Sequence, residues 1–84
     1  MDKVTLLSLS MDLKRITTSI QRGSMSNAER FSKEAQRWIK SDTKDHYLKG
    51  LLDKITNSLS EKNDLKKAED CLMYSVLLQN KALA

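Results

Sequence analysis

Proline is absent from this chain, and glycine occurs only twice, at Gly23 and Gly50. A β-rich chain of this length needs more turn residues, so helices are favoured before any periodicity is counted. The single cysteine, Cys71, excludes an internal disulfide and fits a reducing compartment. No apolar run approaches the roughly 20 residues of a membrane span. The stretch Val4–Met11 is interrupted by Thr5, Ser8 and Ser10, and no small-residue cleavage site follows it, so it is a poor signal peptide. These absences lead to the expectation of a small cytoplasmic protein.

The chain has 84 residues, a length that suits one domain, 1–84, with one core. Hydrophobic residues make up 39%, too many and too regularly spaced for a disordered chain. The formal charge of +4 is compatible with nucleic acid or another anionic partner and requires neither.

Leu6, Leu9, Leu13, Ile16 and Ile20 recur at the spacing of an amphipathic helix, which the pattern places from about Lys3 to Arg22. Gly23 is a natural residue to end it. Ser26 and Glu29 then read as a capping box. They open a second helix whose core side is Ala28, Phe31, Ala35, Trp38 and Ile39. Ser41-Asp42-Thr43 breaks the pattern with residues that favour caps. A third helix buries Leu48, Leu51, Leu52, Ile55 and Leu59, with Gly50 on its opposite side. Asn63-Asp64 caps a fourth, running from Leu65 nearly to Ala84. Short connections favour antiparallel neighbours. The expected fold is therefore all-α, a small antiparallel up-and-down bundle of four helices, or of three if the second and third fuse.

Little in this sequence can carry chemistry. His46 is the only histidine, with Asp42, Asp45 and Asp53 nearby in sequence. Asp42 and His46 supply two ligands on one face at most, and a metal site wants more. Cys71 sits among Leu72, Met73 and Tyr74, where a cysteine behaves as a small hydrophobe rather than a nucleophile. The carboxylates are mixed with lysines along helix faces, and no glycine-rich phosphate loop exists. The reading is of a chain with no catalytic site, no metal and no cofactor.

The strongest polar pattern is basic. Arg30, Lys33, Arg37, Lys40 and Lys44 form a continuous stripe opposite Ala28, Phe31 and Ala35 if the second helix continues that far. The functional reading is a phosphate-binding ridge, and the bland one is a solvated face. Recognition of single strands also calls for exposed aromatics, and Trp38 belongs with the apolar side, leaving Phe31, Tyr47 and Tyr74. No helix-turn-helix signature is present. Nucleic-acid association is the second choice.

From roughly Ala28 to Leu83 the chain resembles a family of short archaeal helical proteins of unknown function. The matching features are Asp64-Leu65 opening the last helix, Ala68 on its core side, and Tyr74 with Leu77-Leu78 beyond. The glycines that the family tends to carry after the tyrosine are missing. The resemblance implies a helical hairpin in a stand-alone small protein, and no catalytic residue transfers.

The run CLMYSVLL, residues 71–78, is apolar nearly all round its helix. One stripe, Leu65, Ala68, Leu72, Val76 and Leu83, is expected to face the core. The other, Tyr74, Leu77 and Leu78, then points away. The first helix repeats the arrangement with Val4, Leu7 and Met11 behind its seam. In an up-and-down bundle the first and last helices are neighbours, so these six residues are expected to merge into one apolar patch ringed by charge. The leading expectation is a non-enzymatic interaction protein, a homodimer or a partner of another protein, meeting through Val4, Leu7, Met11, Tyr74, Leu77 and Leu78.

Overall fold

The computed structural model describes residues 1–40 and 43–84. Four helices follow in order: α1 (Lys3–Gln21), α2 (Met25–Ile39), α3 (His46–Leu59) and α4 (Asp64–Leu83). The second and third do not fuse. Asp45, in extended backbone, caps α3 by accepting from the Leu48 N–H at 3.1 Å. Part of the predicted break, Ser41 and Asp42, lies outside the described residues.

Gly23 ends α1 as its position predicts. With φ at 74° it occupies the left-handed region that glycine reaches at no steric cost. Its N–H donates to the Ile20 carbonyl at 3.0 Å and the Ser24 N–H to the Ser19 carbonyl at 2.8 Å, the double closure of a Schellman motif. This tight turn starts α2 earlier than the sequence suggests. Ser24 takes the N-cap position, and its carbonyl accepts from Ala28 at 3.1 Å. Ser26 is therefore inside the first turn, and the expected Ser26–Glu29 capping box does not form. Asn63 caps α4 as expected, accepting from Lys66 N–H at 3.0 Å.

α1 packs against both α2 and α4, α3 lies on α4, and α2 and α3 meet only lightly. This is the up-and-down bundle, with α1 and α3 on one diagonal. Leu9, Leu13, Ile16, Ile55 and Leu78 have no exposure at all, and Ala35 joins them from α2, so all four helices share one core. Each such large side chain contributes about 1.5–3 kcal/mol on leaving water.

α1 and α4 approach through small residues. Ser10 donates its hydroxyl to the Ser75 carbonyl at 2.6 Å, and Thr17 donates to the Ala68 carbonyl at 2.8 Å. Both donors and both acceptors are one heptad apart, so the helices run antiparallel at constant register. Ser75 is itself fully buried. Two hydroxyls reaching main-chain carbonyls hold these helices closer than leucines would allow.

Candidate functional site

That close contact decides which face of α4 turns outward, and it reverses the expectation. The inner face is Ala68, Cys71, Ser75 and Leu78, with Tyr74 and Leu77 packed beside it. Leu78 is 0% exposed, so the proposed Tyr74–Leu77–Leu78 stripe belongs to the interior. Of the stripe assigned to the core, only Ala68 is inside. Leu65, Leu72, Val76 and Leu83 are 70%, 46%, 46% and 58% exposed. The physical reason lies in the hydroxyls of α1, which need small residues opposite them and therefore select Ala68 and Ser75 over the larger leucines. On α1 itself Val4 and Met11 are exposed, as expected, and Leu7 is partly so. Val4 lies within about one helical turn of Leu83 along the bundle, given the register set by Ser10 and Ser75.

The outer stripe of α4 is thus Leu65, Leu72, Val76 and Leu83, with exposed Met73 beside it. At about 100° per residue these four side chains fall within about 40° of one another, a narrow apolar seam. An apolar groove of about 360 Å³ runs from its Leu65 end onto α1, between Leu72 and Ile20.

The basic stripe is shorter than the sequence suggests. α2 ends at Ile39 with Lys40 as its C-cap, so Lys44 lies beyond the helix. Arg30, Lys33, Arg37 and Lys40 remain on its exposed side. Lys33 pairs with Glu29 at 3.5 Å, both in open solvent, which is worth little. Trp38 turns inward and donates its indole N–H to Asp12 at 3.0 Å. Residues 1–40 hold eight Lys and Arg against four Asp and Glu, whereas residues 41–84 hold seven of each. The whole positive balance therefore sits on α1, α2 and their connection.

Asp12 is a polar residue that periodicity missed. It is 1% exposed, set between α1 and α2, and also contacts Arg15 at 3.5 Å. Burial and the nearby Glu34 charge raise its pKa, opposed by the bonds from Trp38 and Arg15. Cys71 is 1% exposed, and burial pushes its thiol up to about 11, which keeps it un-ionised. His46 is exposed at the start of α3, Asp53 is exposed further along it, and Asp42 lies outside the described residues. Among the described residues no three of His, Cys, Asp and Glu converge as metal ligands do. No helix among them is long and apolar enough to cross a membrane.

No family model, curated protein or solved structure matches this chain.

Proposed function

We propose that this chain is a non-enzymatic helical interaction protein of the cytoplasm, and that it pairs with a second copy of itself through the outer stripe of α4. The observation that carries the reading is the symmetry of that stripe. Leu65, Leu72, Val76 and Leu83 are spaced 7, 4, 7, a pattern that reads the same from either end. Two α4 helices laid antiparallel about a twofold axis near Tyr74 set Leu65 against the partner's Leu83, and Leu72 against the partner's Val76. One patch then meets itself, as a twofold interface requires. The 7-residue repeat is also the spacing that keeps an apolar seam facing a partner helix.

Glu69 and Asn80, flanking the seam, give it a polar rim. The second reading, nucleic acid on Arg30, Lys33, Arg37 and Lys40, draws support from the charge concentrated in residues 1–40. It is weakened by Trp38, which is tied to Asp12 rather than free to stack on bases.

Light scattering tests the dimer directly. The wild-type chain should run at twice its chain mass at micromolar concentration, and Leu72→Lys with Val76→Lys should run as a helical monomer. A wild type that stays monomeric at millimolar concentration sinks self-association.

A further inference from the structure

A groove of about 320 Å³ opens between α1 and the start of α2. We propose that it binds a small phosphate-bearing molecule with an apolar body. Three cationic residues, Lys14, Arg15 and Arg22, line it, and no carboxylate does. A carboxylate ligand brings one negative charge, whereas a phosphate monoester brings about two and three acceptor oxygens, the better match to three cations.

The cations are partly held in place before any ligand arrives. The Arg15 guanidinium lies 5.5 Å from the centre of the Phe31 ring, and Arg30 lies 4.9 Å from the same centre. Arg15 is steadied further by Asp12 at 3.5 Å, a long contact that leaves it other N–H donors. Lys14 is fixed by donating to Gln79 at 2.9 Å, with further ammonium protons to give. Cations fixed in this way lose less side-chain entropy on binding.

The remaining lining divides by chemistry. Ser19 and Asn27 offer hydrogen-bonding groups near the cations, while Met11 and Phe31 supply apolar surface. The volume is at the low end of the roughly 300–1,000 Å³ range of small-molecule sites, enough for a phosphate and one ring. The charge asymmetry of the chain draws anions to the α1–α2 side of the molecule. The phosphate could come from a free organophosphate or from a nucleic-acid strand, and the two are separable by experiment.

The probe is phenyl phosphate, titrated into isotope-labelled full chain while amide NMR shifts are followed, with inorganic phosphate and oligothymidylate as parallel arms. Phenyl phosphate should shift Ser19 and Asn27 saturably and more tightly than inorganic phosphate, because Phe31 and Met11 contact its ring. Exposed Arg22→Gln should weaken binding about tenfold, the range for losing a charge-assisted hydrogen bond. Arg37→Gln, on α2 but outside the groove, should leave it unchanged. Loss of equal size in both variants, or no saturable shift with phenyl phosphate, overturns the site. Oligothymidylate binding more tightly than phenyl phosphate and abolished by Arg37→Gln overturns it in favour of a strand on the α2 ridge.

Discussion

The Asp12 carboxylate, almost wholly removed from solvent, accepts the Trp38 indole N–H at 3.0 Å and so ties the middle of α1 to the last turn of α2. α2 fully buries only Ala28, Ser32 and Ala35, all small, and packs Phe31, Trp38 and Ile39 against the core, so this bond adds a directional tie to that apolar contact. Asp12→Ala leaves the indole N–H without a partner and should cost about 1–3 kcal/mol. Asp12→Asn keeps an acceptor and should cost less. Chemical denaturation of the two variants checks the order.

The same carboxylate gives a pH signature. Its folded-state pKa is raised above the ordinary 3.8, chiefly by burial and then by Glu34. The proton is therefore held more tightly in the folded state. The stabilisation is complete below the ordinary value and is lost as pH rises through the raised one. Asp45 runs the other way. The hydrogen bond from Lys81 at 2.8 Å lowers its pKa, so its contribution is lost as pH falls. The stability of wild type minus that of Asp12→Asn should decline as pH rises from the ordinary value of 3.8 through the raised one. A difference that is flat across that range refutes the raised pKa.

Helix order, the α1 seam and the α3 face were legible because leucines and isoleucines at helical spacing there had only one core to enter. Leu9, Leu13, Ile16, Leu48 and Ile55 are all inside. α4 was misread because its contact with α1 rests on hydroxyls. Ser10 and Thr17 look like interruptions of an apolar seam, yet both face inward and donate across the helix pair. A usable signal was present in Ala68, Ser75 and Ala82, small residues repeating by heptads beside the larger ones. Asp12 was hidden for a related reason. A carboxylate within an apolar helix is legible as buried only once Trp38 is known to face it.

The close α1–α4 contact should tolerate loss of a hydroxyl better than gain of volume. Ser10→Ala forfeits one hydrogen bond, at a net cost of about 1 kcal/mol. Ser75→Leu forces the helices apart and should cost at least as much again through overpacking, about 1–3 kcal/mol. Thermal unfolding followed by circular dichroism ranks the two. Equal losses would mean that the spacing is not set by residue size.

The two glycines should respond in opposite directions to alanine. Nothing lies within 4 Å of a Cβ added at either position, so backbone conformation alone decides. Gly23→Ala puts a side chain at φ 74° and should cost about 1 kcal/mol or more. Gly50→Ala sits in exposed α3 and should stabilise by about 0.8–1 kcal/mol. Their urea midpoints should therefore move apart from that of wild type.

Lysine at two neighbouring leucine-bearing turns of α4 separates interior from surface. Leu78→Lys places a charge where exposure is 0% and should abolish cooperative folding. Leu72→Lys places it on the outer stripe and should leave the helical signal intact. If Leu78→Lys folds as well as Leu72→Lys, the assignment of faces on α4 is wrong.

The register of the proposed pair is testable by cysteine mixing. An antiparallel pairing about Tyr74 sets position 65 of one copy against position 83 of the other, while each lies far from its own symmetry mate. Leu65→Cys alone and Leu83→Cys alone should therefore remain uncross-linked under mild oxidation. An equimolar mixture should form a single disulfide-linked species, because only unlike positions come within the roughly 4.4–6.8 Å between α-carbons that a disulfide spans. Cys71 does not confuse the result, since it is 1% exposed and burial keeps its thiol un-ionised near neutral pH. A parallel pairing predicts the reverse, with each single variant linking to itself and the mixture adding little. A dimer held elsewhere on the surface predicts no cross-link in any of the three samples, even where light scattering finds two chains. The symmetric spacing of four leucine and valine residues thus commits the interface to one geometry, which these three samples distinguish from its rivals.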